Sequence, residues 1–327
     1  MKPRILVTRE VFDEVLDYLG RHFEVVSNQG DKPYTPEELA ARLADKHGAL
    51  TVLTDRIDEA LLSKCPQLKA VCNIAVGFNN FDLQAMSARG VMGTNTPGVL
   101  DAATADFTWA LILATARRLT EAEAWLRAGE WRGWQLKQFL GMDVAGATLG
   151  IIGMGRIGQA VARRACGFDM PVLYYNRTRL DPTLERECNA RHVSLDELLV
   201  QSDIVTLHTP YNAASHHLIG AAQLAKMKKT AILIHAARGG VVDDAALVAA
   251  LKNGTIAAAG LDVFENEPKL NPEFLKLKNV VLAPHIASST ERTRRNMAML
   301  AAKNLVAALS GERPPNLLNP EAFRQGE

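Results

Sequence analysis

Thr148-Leu149-Gly150-Ile151-Ile152-Gly153-Met154-Gly155-Arg156-Ile157-Gly158 is the stretch whose reading decides the fold. It runs from a short apolar strand into a Gly-x-Gly-x-x-Gly turn, and the residues from Gln159 to Ala165 continue it at once as a helix. Gly153 lets the backbone turn sharply, Gly155 leaves out a Cβ that would hold a pyrophosphate away, and Gly158 lets helix and strand pack closely. The helix start adds unpaired N–H groups and the positive end of the peptide dipole. A glycine turn alone is a weak signal, because any tight strand-to-helix junction favours small residues. Here the next apolar run, from Pro171 to Asn176, ends where a dinucleotide fold places the residue that reads the ribose. The stretch is therefore read as a dinucleotide-binding turn.

Outward from this turn the chain alternates apolar runs with helical segments. Downstream, strands are expected over 172–176, 191–194, 203–209, 231–236, 257–263 and 280–284. Upstream they are expected over 4–8, 24–27, 49–53, 69–75 and 91–95, with an amphipathic segment over 11–23. A helix should open at Thr35, which caps it, with Pro36 at the first helical position and Glu38 completing a capping box. Such alternation predicts an α/β protein of two doubly wound parallel sheets. The first is a flavodoxin-like domain over 1–99, and the second a Rossmann domain over 100–288.

Two long helices frame the second sheet. Residues 101–119 are apolar or small nearly all round, which predicts one buried helix linking the domains. Residues 288–309 come too late for the cofactor sheet and are expected to cross back, so that 289–327 join the first domain. Between 120 and 147 the chain turns polar and aromatic, with Trp125, Trp131 and Trp134. Tryptophans there should lie against a neighbour, and a second subunit is the expected one.

The 327 residues suffice for two cores, and 48% hydrophobic with 22% charged residues is the balance of a soluble globular protein. Lys and Arg total 37 against 36 acidic residues, so no excess charge points to nucleic acid or an anionic membrane. No apolar run reaches the ~20 residues that span a bilayer. Charge returns by Arg9 and Glu10, before a signal-peptide core could form, so cytoplasmic residence is expected. Cys65, Cys72, Cys166 and Cys188 lack C-x-x-C spacing and a nearby histidine pair; buried thiols are expected, with no metal site.

Ligands of open parallel sheets bind beyond the carboxyl ends of the strands. Val76, Gly77, Thr209, Arg238, Asp262, Glu267 and His285 stand at those ends. One arginine, one carboxylate and one histidine at the rim of a dinucleotide sheet equip it for hydride transfer to a carbonyl next to a carboxylate. His208 and His235 also end strands, and His216 and His217 sit in a polar loop; singly these read as structural histidines.

The segments His235-Ala-Ala-Arg238-Gly-Gly-Val-Val-Asp243, Gly260-Leu-Asp262-Val-Phe-Glu-Asn-Glu267-Pro268 and Ala283-Pro-His285-Ile-Ala-Ser288-Ser resemble the signatures of the D-isomer-specific 2-hydroxyacid dehydrogenases. The resemblance spans essentially the whole chain, including Asn73 to Asp82 and the glycine turn. Within that family the chain is most similar to the NADP-dependent glyoxylate/hydroxypyruvate reductases, which include 2-ketogluconate reductases. This implies reduction of small 2-ketoacids to D-2-hydroxyacids, with NADP(H) preferred and NAD(H) usable. It places the acid/base at His285, its orienting carboxylate at Glu267, and the substrate arginine at Arg238. Val76, Gly77 and Trp134 would complete the substrate site. The cofactor shell implied is Thr104, Gly153, Gly155, Arg156, Ile157, Gly158, Asn176, Arg177, Thr178, Thr209, Pro210, Ala236, Arg238, Asp262, His285 and Ser288.

The chemistry agrees with these roles. A ketone that accepts hydride becomes an alkoxide and needs a proton donor, for which imidazolium is suited near neutral pH, and a carboxylate beside it favours the protonated ring. Arg238 can bind the substrate carboxylate and polarise the carbonyl. Asn176, in place of an acidic residue, leaves nothing to repel a 2′-phosphate, and Arg177 and Arg179 follow to bind it. Asp262 either meets the nicotinamide amide or caps the turn after it. The resemblance also implies a homodimer built on the 100–147 region, with Trp134, or its neighbour Trp131, reaching the partner's substrate pocket. His235 departs from the family's usual Asn, and Asn79 from its frequent Asp. Rival readings are a phosphoglycerate dehydrogenase and a dinucleotide-sensing, corepressor-like binding protein; a formate dehydrogenase pairs its histidine with Gln, against Glu267.

Overall fold

The computed structural model describes residues 2–323. They form two compact units, one made of the chain up to Leu100 together with that from Ser289 onward, the other of Asp101–Ser288.

The first unit is built on β1 (Arg4–Val7), β2 (Glu24–Ser27), β3 (Gly48–Thr51), β4 (Ala70–Asn73) and β5 (Met92–Thr94). They pair in parallel in the order β2-β1-β3-β4-β5, the flavodoxin-like order. Every residue of β3, β4 and β5 is buried, which is why these strands read as continuous runs without alternation. The sheet is covered by α1 (Asp13–His22), α2 (Pro36–Leu43), α3 (Glu59–Leu62) and α4 (Leu83–Ala88). Ile5, Val7, Leu19 and Leu50 gather on one face, and Leu6, Leu43, Ile57 and Val71 on the other. The capping box at α2 forms as its sequence requires: Thr35 Oγ1 accepts from the Glu38 N–H at 3.2 Å, and Glu38 Oε2 accepts from the Thr35 N–H at 2.9 Å.

The second unit opens with α5 (Asp101–Ala116) and α6 (Leu119–Arg127). There follow β6 (Leu149–Ile152), α7 (Arg156–Ala165), β7 (Val172–Tyr175), α8 (Pro182–Glu187), β8 (Ala190–His192), α9 (Leu195–Gln201) and β9 (Ile204–Leu207). The unit closes with α10 (Ala221–Leu224), β10 (Ile232–His235), α11 (Asp244–Lys252), β11 (Ala258–Leu261) and β12 (Val280–Leu282). The sheet is parallel throughout, in the order β12-β11-β10-β9-β6-β7-β8. Its strand order reverses between β6 and β9, so the crevice of a Rossmann sheet lies beyond the carboxyl end of β6.

The structure corrects the expected single helix over 101–119. Helix α5 stops at Ala116, Arg118 takes a left-handed φ of +52°, and α6 starts afresh. The chain returns to cap the break: the Met142 N–H donates to the Ala116 carbonyl at 2.9 Å, and a Cβ on Gly141 would lie 2.2 Å from that oxygen. Nor is α5 buried all round. It packs inside the second unit, on α7 and over β10 and β11, and leaves Asp106, Ala110 and Leu113 exposed. Its apolar inner side is anchored by Trp109, stacked on Phe168 with centroids 4.6 Å apart. The arm beyond it exposes Leu126, Trp131, Trp134, Leu136 and Leu140.

The last helix, α12 (Glu291–Leu309), begins three residues later than its apolar pattern predicts, because Thr290 caps it by accepting from the Thr293 N–H. It packs on α1, β3 and β4 of the first unit, burying Ala301, Ala302 and Leu305 completely. Cys65, Cys72 and Cys188 are buried, whereas Cys166 is exposed, against the expectation of four buried thiols. No helix among the described residues is long and apolar enough to cross a membrane.

Candidate active site

The three glycines after β6 each meet a different constraint. Gly153 has a φ of +96°, and a Cβ there would lie 2.7 Å from the His208 carbonyl carbon and 2.8 Å from the Thr209 nitrogen. A Cβ on Gly158 would lie 2.3 Å from the Gly153 carbonyl oxygen, so the first turn of α7 and the end of β6 touch backbone to backbone. Around Gly155 there is open space, with nothing within 4 Å of a Cβ position. No side chain caps α7 at Gly155, so its first N–H groups and positive dipole end face that space. This arrangement fits a pyrophosphate. Asn176 holds the turn from the next strand, its Oδ1 accepting from the Met154 N–H at 2.7 Å, and Thr209 Oγ1 donates to the Ile152 carbonyl at 3.2 Å.

At the ends of β10, β11 and β12 stand Arg238, Asp262 and His285. His285 Nδ1 lies 2.7 Å from Glu267 Oε2, and the other carboxylate oxygen accepts from the Phe264 N–H at 2.9 Å. Burial pushes the Glu267 carboxyl up, but the hydrogen bond and charge of His285, the Phe264 N–H and the Arg238 cation together hold it below the usual range. Burial pushes the Arg238 guanidinium down, opposed by the Glu267 charge. A cation and an oriented imidazole therefore stand together at the rim of the sheet, linked electrostatically through one carboxylate.

Residues 109–287 match the family described as D-isomer specific 2-hydroxyacid dehydrogenase, NAD binding domain. The chain is similar to the glyoxylate reductase of Thermococcus gammatolerans, at 49% identity over 99% of this chain and 98% of that one. It is equally similar to the glyoxylate reductase of Aeropyrum pernix, 49% identical over 99% of this chain and 98% of the other. A solved structure of an NADPH-dependent glyoxylate/hydroxypyruvate reductase from Sinorhizobium meliloti, in complex with NADP and malonate, is 34% identical, with a TM-score of 0.88 and all of both chains covered. The chain belongs to the D-isomer specific 2-hydroxyacid dehydrogenase family. It is thus an oxidoreductase of the nicotinamide-dinucleotide kind.

In this dehydrogenase Asp262 is fully buried, and both its oxygens are used: one accepts from the Ile286 N–H at 2.7 Å, the other from the Ala287 N–H at 2.9 Å. The His285 N–H donates to the Asp262 carbonyl at 2.9 Å, so Asp262 fastens the turn in which His285 holds a φ of +55°. Asp262 therefore caps the turn that follows it. A network that the sequence did not disclose lies on the far side of the Arg238 loop. His217 Nε2 meets Glu265 Oε1 at 2.5 Å, the His217 N–H donates to the Gly240 carbonyl at 2.8 Å, and Asp244 Oδ2 accepts from the Glu265 N–H at 3.0 Å. Burial among Asp243, Glu265 and Glu267 pushes the Asp244 carboxyl up to about 6.

Arg179 departs from expectation. Its guanidinium is bound twice to Glu185, at 2.8 and 2.7 Å, and Tyr174 donates to the same carboxylate at 2.5 Å. The Arg179 hydrogen bonds, then that of Tyr174, hold Glu185 down at about 2, while burial and Glu185 push Tyr174 up to about 12. Arg179 is therefore committed to Glu185 although exposed, and Arg177 and Thr178 are exposed as well. Arg156 and Ile157 open α7, Thr104 lies on the buried side of α5, and Asp101 near it feels the Arg156 charge. Ala236 is buried just past β10, Pro210 is exposed after β9, and Ser288 is half-buried after the His285 turn. In the other unit, Asn95 donates to the Val76 carbonyl at 2.8 Å and Asn73 to the Gly77 carbonyl at 2.9 Å, which fixes that loop. Trp134 is 78% exposed.

The glycine geometry yields a stability contrast. Gly158→Ala forces apart two backbone segments and should cost about 1–3 kcal/mol in urea unfolding. Gly155→Ala has room for its methyl and should change stability by less than about 1 kcal/mol. Equal losses would contradict the packing described.

Proposed function

We propose that this protein reduces small 2-ketoacids, glyoxylate and hydroxypyruvate foremost and 2-ketogluconate as a further candidate, to D-2-hydroxyacids with NADPH. The observation that carries this reading is the 2.7 Å contact of His285 Nδ1 with Glu267 at the strand ends that also present Arg238. The similar glyoxylate reductases of Thermococcus gammatolerans and Aeropyrum pernix support the substrate class.

When bound, the dinucleotide supplies the hydride. Gly153, Gly155, Gly158 and the α7 residues Arg156 and Ile157 would hold its pyrophosphate. Asn176, Arg177 and Thr178 would hold the adenosine ribose and its 2′-phosphate. Thr104, Thr209, Pro210, Ala236, Asp262 and Ser288 would line the nicotinamide end. Arg238 would grip the substrate carboxylate and polarise the C2 carbonyl, an attraction strengthened by its partial burial. His285, with Nδ1 engaged by Glu267, presents Nε2–H as the proton donor for the alkoxide oxygen. Val76 and Gly77 are proposed to offer backbone N–H groups to the substrate carboxylate. Residence in the cytoplasm accords with four unpaired cysteines.

His285→Gln should lower turnover about 10²- to 10⁴-fold while leaving NADPH titration nearly unchanged. Glu267→Gln should act mainly on pH dependence. The Glu267 carboxyl is held below the usual range by His285, the Phe264 N–H and Arg238, so the carboxylate that orients the imidazole persists to low pH. Glyoxylate reduction by the unmodified enzyme should therefore fall off only below the usual carboxylate range, and the variant should lack that acid limb; an acid limb unchanged by the substitution would remove Glu267 from its role.

Arg177→Ala should raise KM for NADPH about tenfold or more and leave that for NADH within about twofold, the loss of a charge-assisted contact to the 2′-phosphate. Steady-state kinetics with both cofactors decide this, and equal effects would refute the NADPH assignment.

The exposed apolar arm from Leu126 to Leu140 supports a homodimer, with Trp134 the candidate to enter the partner's substrate pocket. Sedimentation at micromolar concentration should show a dimer. A stable, active monomer would end the proposal.

A further inference from the structure

Arg238 stands three residues beyond β10, next to Gly239 and to Gly240, whose φ is +85°. A cation on such a turn needs fixed neighbours if its guanidinium is to meet a ligand in one geometry. On one side the loop is confined by Phe264, whose carbonyl oxygen would be 1.8 Å from a Cβ on Gly239, and by the His217 N–H on the Gly240 carbonyl. On the sheet side it is His235, 1% exposed at the last position of β10, that reaches it: His235 Nε2 lies 2.9 Å from the Arg238 carbonyl oxygen. A carbonyl oxygen only accepts, so this contact requires the proton on Nε2. Burial pushes His235 down to about 4, which keeps the ring neutral near pH 7 and leaves Nδ1 as a bare acceptor. That Nδ1 is enclosed without a partner, a cost that an apolar side chain of similar size would not incur. The ring is therefore poorly accounted for as filler and well accounted for as a donor.

We propose that His235 is a positioning residue for the substrate arginine, its Nε2–H fastening the Arg238 backbone so that the guanidinium is aimed at the ketoacid carboxylate. This rests on the reading of Arg238 given above. The effect belongs to ketoacid binding and not to cofactor binding, because the contact is made to the backbone of Arg238 and the glycine turn lies on another strand.

The test compares His235→Leu, which removes the donor, with His235→Gln, whose amide reaches about as far as Nε2, in the full-length enzyme. KM for glyoxylate and the affinity of the NADPH-loaded enzyme for oxamate, a carboxylate that is not reduced, are the readouts. His235→Leu should weaken both about tenfold, leave NADPH affinity within about twofold, and be largely rescued by His235→Gln. A folded His235→Leu enzyme with unchanged glyoxylate KM and oxamate affinity would overturn the proposal. Arg238→Leu separates the two readings: if it too spared oxamate binding, the role of Arg238 itself would fall, whereas loss there with none in His235→Leu would overturn the tie alone. Should His235→Leu fail to fold, ¹⁵N-histidine spectra of the unmodified protein decide, with His235 expected as the neutral Nε2–H tautomer and the Nδ1–H tautomer excluding the tie.

Discussion

The approach of one backbone to another at the turn after β6 is the constraint on which the second unit depends. Gly158 lies where a single methyl group would collide with the Gly153 carbonyl, and Gly153 lies where one would collide with the His208–Thr209 peptide. These contacts draw α7 onto the sheet and bring the ends of β6 and β9 together at the point where the strand order reverses. The crevice exists because two glycines remove bulk behind it, while the third leaves space in front.

At the other end of the same sheet edge, charge replaces bulk as the organising element. Asp262, Glu267, Asp244 and Arg238 are all partly or wholly withdrawn from water; the three carboxylates accept hydrogen bonds, and Arg238 feels the charge of Glu267. Asp262 spends both oxygens on the backbone that carries His285, and Glu267 divides its two between His285 and the Phe264 N–H. The imidazole is thus fixed from the backbone side and the ring side at once. Such double fixation suits the proton donation proposed for His285, because misplacement by about an ångström can cost about 10²-fold in rate.

Most of the fold was legible because its signals are local. The strands were apolar runs, the α2 cap was written in Thr35 and Glu38, and the glycine spacing gave the turn its three roles. What escaped were effects of residues distant in sequence. Nothing near Ala116 says that Met142 will return to end α5. The His217–Glu265 contact spans 48 positions and carries no local pattern at all. Strand-end residues were visible as candidates, but the partner that each side chain takes was settled only when β10, β11 and β12 lay side by side.

The Tyr174–Glu185–Arg179 cluster also bears on how this corner of the sheet could change over evolutionary time. Two arginines sit two positions apart on one loop, and Arg179 is the one tied to Glu185. Replacing Arg179 takes the cationic partner from a buried carboxylate that Tyr174 still holds, so drift at that position is filtered by the integrity of the β7–α8 corner. Arg177 is exposed and carries no such tie, so it can vary without that cost.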